Sequence, residues 1–117
     1  MAVSDHMRIA SAELRRAAEL LKQEIENLRN EETNVNRSIN DRVAFLLRQQ
    51  QQYEHDLRVT NDPAQSSQLH SVIQRINLEI AQKRSEVRSH QERIQSMIRD
   101  KQRQIGSLES QARMIAS

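Results

Sequence analysis

This chain of 117 residues has few of the residues that make turns, disulfides or thick cores. It contains no cysteine, one glycine (Gly106), one proline (Pro63) and only 2% aromatic residues. Without cysteine it has no disulfide framework, thiol nucleophile or cysteine-based metal site. Because tight turns depend on glycine and proline, the chain has few of them. The apolar share of 36% is too small for a thick globular core and suits a narrow line of contact between helices.

Long apolar runs are also missing. No run approaches the 18 residues that a transmembrane helix needs. The first nine residues include Asp5, His6 and Arg8 where a signal peptide would have an apolar stretch. We therefore expect neither a membrane span nor a secretion signal. A chain without cysteine is compatible with a reducing compartment, and a cytoplasmic location is expected.

Charged residues are abundant and nearly balanced, with 18 Lys/Arg and 16 Asp/Glu. Residues 1–62 hold 9 basic and 11 acidic residues, and residues 63–117 hold 9 and 5, so the two parts carry −2 and +4. Opposite signs suit a chain that folds back on itself. Such a polar composition also fits disorder, but the regular apolar spacing described below favours helices.

The strongest break in the helical pattern is Asp62-Pro63. Asp62 can cap a helix N-terminus, Pro63 fits the first helical position, and Gln65 can complete a capping box with Asp62. A residue before proline is disfavoured in helical geometry. The sequence predicts one domain over residues 1–117, with helix 1 at about 5–59, a turn at about 60–62 and helix 2 at about 63–116.

In both predicted helices, apolar residues recur at steps of three and four, which is typical of a coiled coil. Each series is interrupted by two successive steps of four, at the same distances from the turn. Matched interruptions favour an all-α, antiparallel coiled-coil hairpin, and two such hairpins could pair into a four-helix bundle. A register shifted by four residues also aligns most layers. The predicted contact line, or seam, contains Met7, Ala10, Leu14, Ala17, Leu21, Ile25, Leu28, Glu32, Val35, Ile39, Arg42, Leu46, Gln50, Tyr53 and Leu57 in helix 1, and Gln65, Leu69, Val72, Ile76, Ile80, Lys83, Val87, His90, Ile94, Met97, Lys101, Ile105, Leu108, Ala112 and Ile115 in helix 2.

Some seam positions are ambiguous, since Val43 can replace Arg42 and Ala18 can replace Ala17. The register places Leu28 opposite Ile94, Leu46 opposite Ile76 and Ile25 opposite Met97. It also makes a polar layer of Glu32 and His90, which would fix the register at some cost in stability. Gly106 is either a tolerated surface glycine or a point where another helix approaches closely.

Apolar residues outside this seam suggest a binding surface. Residues 43–47 are all apolar, and successive helical residues lie 100° apart, so this run surrounds the helix and one seam cannot cover it. We expect such side chains to contact a protein partner or a second copy of the chain. The predicted contacts are an apolar belt of Phe45, Leu47 and Leu78, and Ile9, Leu20 and Ile98 nearer the ends of the chain, where Met114 is also off the seam.

No arrangement of residues points to catalysis, a cofactor or a metal. Acidic pairs such as Glu31/Glu32 point to different sides of a helix, and two helices form no concave pocket that excludes water. One glycine cannot build a phosphate-binding loop. The four histidines (His6, His55, His70 and His90) lack metal-ligand spacing. The chain is therefore expected not to be an enzyme.

Three candidate functions remain. The favoured one is a structural or adaptor protein that self-associates, as a homodimer, and binds a protein partner. The alternatives are an export- or chaperone-type stalk hairpin and a nucleic-acid-binding arm. The arm would use Arg84, Arg88, Arg99 and Arg103 on phosphates, although acidic residues interleave with these arginines and aromatics for base stacking are scarce.

Overall fold

Two long helices make up the computed structural model, which describes residues 3–116. Helix α1 is Val3–Val59 and helix α2 is Pro63–Ala116. The two helices pack against each other as an all-α helical hairpin, which confirms the predicted fold class. Helix α1 begins two residues before the predicted start, and both helix ends at the turn lie where Asp62-Pro63 placed them.

Side chains of the turn satisfy the backbone groups that the helix ends leave exposed. The Asp62 carboxylate Oδ1 accepts a hydrogen bond from the Ala64 N–H (3.0 Å), as expected of an N-cap residue. The predicted capping box does not form, because the Asp62 carboxylate bonds the amide of Ala64 rather than that of Gln65, and Gln65 does not bond the Asp62 N–H. Gln65 Oε1 instead accepts from the Thr60 hydroxyl (2.7 Å), and that hydroxyl oxygen accepts the Asp62 N–H (3.3 Å). Thr60 therefore bridges the two groups that a capping box would join directly.

Removing this cap should destabilise the hairpin modestly. We expect Asp62→Ala to lower the free energy of unfolding by about 1 kcal/mol, because the first-turn amide of Ala64 loses its acceptor. The measurement is chemical denaturation followed by circular dichroism. Asp62→Asn is the matched control, because an asparagine side chain keeps the acceptor oxygen. Equal losses in both variants would show that the carboxylate contributes by charge rather than as a cap.

The hairpin contains two compact units, each formed by parts of both helices. The open-end unit comprises α1 up to Glu32 and α2 from Glu92, and the turn unit is Thr33–Gln91. Each unit has its own apolar cluster. The buried members are Ala18, Ile25, Ile94, Ile98 and Ile105 in the open-end unit, and Val43, Leu46, Ile76 and Ile80 in the turn unit.

The clusters fit both the predicted register and the register shifted by four residues, and they correct the phase of the seam. Leu46 and Ile76 belong to one cluster, and Leu28 packs against the cluster that contains Ile94. At three places, however, the neighbouring residue is the one that is buried. Ala18, Val43 and Ile98 lie in the clusters where Ala17, Arg42 and Met97 were predicted, and Met97 is 40% exposed.

Two further seam predictions change with this phase. With Ala18 in the seam, the steps from Leu14 to Leu28 alternate regularly between four and three, so the predicted interruption in this part of α1 is wrong. Met7 is 48% exposed rather than buried.

The predicted layer of Glu32 with His90 stays a prediction. Within the open-end unit the Glu32 carboxylate accepts a hydrogen bond from Gln95 Nε2 (3.1 Å).

Three small residues are among the most deeply buried in the open-end unit. Ser11, Ala18 and Ala112 are 4%, 1% and 0% exposed. The Ser11 hydroxyl donates to the backbone carbonyl of Ala112 (3.2 Å). Because a serine side chain is short, this bond requires the two helix backbones to approach closely.

Of the two predicted alternatives for Gly106, the packing within one chain supports the tolerated surface glycine. A Cβ atom added there would meet no heavy atom within 4 Å. We therefore expect Gly106→Ala to raise the free energy of unfolding by about 1 kcal/mol, since glycine is the costlier residue inside a helix. Thermal melting by circular dichroism measures this. A lower melting temperature would indicate that another molecule packs against this position.

Candidate interaction surfaces

Phe45 lies on the flank of α1 and is partly covered by an arginine. Arg42, predicted in the seam, instead bridges the helices, and its Nη2 and Nε both donate to Glu79 Oε1 (3.0 and 3.2 Å). Its guanidinium carbon lies 5.3 Å from the centre of the Phe45 ring, within cation–π range. Phe45 remains 40% exposed, so part of its surface is available to a partner.

The predicted apolar belt does not form one face. Phe45 and Leu47 lie 100° to either side of the buried Leu46, so they occupy opposite flanks of α1. Leu47 is partly buried against the turn-unit cluster. Leu78 is 60% exposed and lies about 200° from both Ile76 and Ile80, on the side of α2 away from the seam. Phe45 and Leu78 therefore remain as two separate exposed contacts.

The end-proximal contacts also divide into exposed and buried residues. Ile9 is 44% exposed and Leu20 is 58% exposed, as predicted. The prediction for Ile98 is wrong, because this side chain is 3% exposed and lies in the open-end cluster. Ile9 and Leu20 are eleven residues apart, which is almost a whole number of helical turns, so they share one face of α1.

The arginines predicted to contact nucleic acid are all exposed. In the turn unit, Arg84 and Arg88 lie one helical turn apart, and neither pairs with a carboxylate among the described residues. In the open-end unit, Arg103 pairs with Asp100 (2.8 Å). Tyr53 is partly buried against the turn-unit cluster.

Clefts in the open-end unit are lined by charged, small and apolar side chains. A cleft of about 600 Å³ has Met7, Arg8, Arg15 and Ile115 on its walls. The neighbouring cleft includes Lys22, which pairs with Glu19 (3.2 Å) and with Glu109 of the other helix (3.6 Å). The hydrogen bond that Lys22 donates to Glu19, followed by the charge of Glu109, raises the pKa of the Lys22 ammonium above its ordinary value. These pairs are solvent-exposed and contribute little stability.

Metal-binding clusters and membrane spans were sought among residues 3–116. No group of three or more His, Asp or Glu side chains in that range is arranged to hold a metal ion. Neither helix, over the same residues, has a stretch both long and apolar enough to cross a bilayer. Comparison with known families, curated proteins and solved structures finds no match for this chain.

Proposed function

We propose that this chain is a non-enzymatic structural or adaptor protein, a coiled-coil hairpin that self-associates as a homodimer and binds a protein partner. The observation that carries the proposal is the set of large apolar side chains outside the seam. Covering such side chains lowers the free energy, because apolar surface is removed from water. The exposed large apolar residues among the described positions are Met7, Ile9, Leu20, Phe45, Val59, Leu78, Met97 and Met114.

The exposed surface area supports association. The chain has 8475 Å² of accessible surface. A compact monomer of 13.7 kDa would have roughly 6,600 Å². The excess of roughly 1,900 Å² for one chain is larger than the roughly 800 Å² that each partner buries in a standard protein interface. A chain whose own core is this thin can gain stability from an intermolecular contact.

Electrostatics do not oppose a contact between identical chains. The formal net charge is +2, so two copies repel each other only weakly. In the open-end unit, basic and acidic residues are equal in number, at ten each over residues 1–32 and 92–117. This neutral unit suits self-association. Phe45 and Leu78, in the turn unit, are the contacts that we assign to a different protein partner.

Self-association is tested by multi-angle light scattering after size-exclusion chromatography, over a range of loading concentrations. We expect the mass to rise with concentration from 13.7 kDa towards twice that value. A mass that stays at 13.7 kDa at every concentration up to several hundred micromolar would contradict the homodimer.

A nucleic-acid-binding arm is the second candidate, and the observation in its favour is that Arg84 and Arg88 are exposed without carboxylate partners among the described residues. Contacts of this kind release counterions, so affinity should fall steeply with salt. The test is binding of duplex DNA and structured RNA at about 50 and about 200 mM salt, with Arg84→Gln/Arg88→Gln as the comparison. Binding that is absent at the lower salt concentration would exclude this candidate.

A further inference from the structure

The outer side of α1 in the open-end unit carries a stripe that is complementary to itself. Its residues recur at steps of three and four, so they lie along one line of the helix surface. All are exposed. We define the α1 outer stripe as His6, Ile9, Glu13, Arg16, Leu20 and Gln23.

The order of residue types in the α1 outer stripe allows it to pair with itself. Consider two copies of the stripe packed antiparallel, with a two-fold axis between the levels of Leu14 and Arg15. Ile9 of one copy then faces Leu20 of the other, and Glu13 faces Arg16. Each contact occurs twice, as two-fold symmetry requires. Every apolar residue meets an apolar residue, and each of these two charges meets its opposite.

The exposure and the bonding of Ile9, Glu13, Arg16 and Leu20 within one chain leave them available for such a contact. Ile9 and Leu20 are 44% and 58% exposed, so a large part of each side chain is left uncovered by its own hairpin. Glu13 and Arg16 lie one turn apart on the same helix, yet neither forms an ion pair or hydrogen bond among residues 3–116. Other i,i+3 pairs in this unit do bond, such as Glu19 with Lys22 (3.2 Å). Glu13 and Arg16 can therefore bond to a second molecule without breaking bonds in their own chain.

We infer that the α1 outer stripe is the homodimer surface, and that its occupant is the same stripe of a second copy in antiparallel orientation. This inference rests on the proposed self-association and names the surface that performs it. The apolar pairs supply the favourable burial, and the Glu13–Arg16 pairs fix orientation and register, as charged flanking residues do in coiled coils. A single helix–helix contact about five turns long is at the small end of stable interfaces, so we expect a dissociation constant on the order of micromolar.

Charge reversal tests this arrangement directly. Glu13→Arg places a basic side chain of each copy against Arg16 of the other, and Arg16→Glu creates the equivalent acidic clash. Each single variant should raise the dissociation constant of the homodimer at least about tenfold, because like charges face each other twice. The double variant Glu13→Arg/Arg16→Glu should restore it. An equimolar mixture of the two single variants should form heterodimers, since both facing pairs are then opposite in charge. Sedimentation velocity measures the dissociation constant for each single variant, the double variant and the mixture.

Matched control variants distinguish a loss of dimerisation from a loss of folding. Arg84→Glu, in the turn unit, is an exposed charge reversal that should leave dimerisation unchanged. Leu20→Glu should abolish the dimer, while Leu78→Glu, at an almost equally exposed leucine (58% and 60%), should not. Circular dichroism melts should show that all variants stay helical, because none of the substituted side chains is buried.

The outcomes distinguish the inference from the proposed function. A wild-type dimer that is weakened by both single reversals and restored by mixing supports the stripe. A wild-type dimer that is unaffected by the reversals and by Leu20→Glu overturns the stripe and leaves self-association standing. A wild-type chain that is monomeric at every concentration overturns both.

Discussion

Replacing Ile98 by alanine is expected to lower the free energy of unfolding by about 3 kcal/mol, as is typical of a large apolar side chain removed from a core. Ile98 is 3% exposed and belongs to a cluster with Ile25 and Ile94. That cluster has few buried members, and neighbours on a helix cannot move far to fill the space left by the missing carbon atoms. Chemical denaturation at a fixed, low protein concentration measures the effect, so that dimerisation does not contribute.

Met97 provides the internal control for this prediction. It is adjacent to Ile98, apolar and 40% exposed, so Met97→Ala should cost less than about 1 kcal/mol. The sequence pattern favoured Met97 as the buried residue, opposite Ile25. A larger loss of unfolding free energy for Met97→Ala than for Ile98→Ala would contradict the packing described above. It would mean that Met97, and not Ile98, lies in the seam.

Leu46→Ala is expected to cost about 3 kcal/mol as well, in the turn unit. Leu46 is 1% exposed and lies in the cluster that contains Val43, Ile76 and Ile80. The lost transfer free energy and the residual cavity both contribute to this cost. The measurement is again denaturation at low protein concentration.

Leu78→Ala is the control for Leu46→Ala, because it removes the same atoms from a site that is 60% exposed. It should change the free energy of unfolding by less than about 1 kcal/mol. Equal losses at the two sites would mean that Leu78 is buried in solution, and therefore that a contact covers the outer side of α2 even in the monomeric range.

The turn and the two helices could be predicted because their signals are local and chemically specific. Asp62-Pro63 combines a cap with a residue that cannot continue a helix from before it, and no other site in the chain does so. The hydrogen bond of the Gln65 side chain was not predictable, because the Thr60 hydroxyl bonds both the Gln65 oxygen and the Asp62 N–H, which would otherwise bond each other. That competition depends on the side-chain conformations within the turn, which the residue types alone do not specify.

The phase of the seam was harder to predict because adjacent apolar residues satisfy the same spacing. Ala17 and Ala18 are identical, and Met97 and Ile98 are both apolar and differ by 100° around the helix. The predicted series places equal interruptions in both helices, whereas with Ala18 buried the series in α1 is regular from Leu14 to Leu28. Ile98 was consequently assigned to the surface, whereas Ile9 and Leu20 were assigned correctly because no alternative phase buries them.

The charged half of the α1 outer stripe was overlooked in the sequence. Glu13 and Arg16 are ordinary exposed residues when each helix is considered alone. The signal that could have identified them is their place between Ile9 and Leu20, with the order apolar, acidic, basic, apolar. The missing ion pair between two residues one turn apart is visible only in the structure.

The bond from Ser11 to the carbonyl of Ala112 also has a mechanical consequence. Because the beginning of α1 lies beside the end of α2, a force applied to the two chain ends pulls the helices apart sideways, and the layers separate one after another. The first layer to separate is that of Ser11 and Ala112, whose small side chains bury little apolar area. In an optical-trap experiment, extension should therefore begin at low force, and resistance should rise when the isoleucine layers of the open-end cluster bear the load.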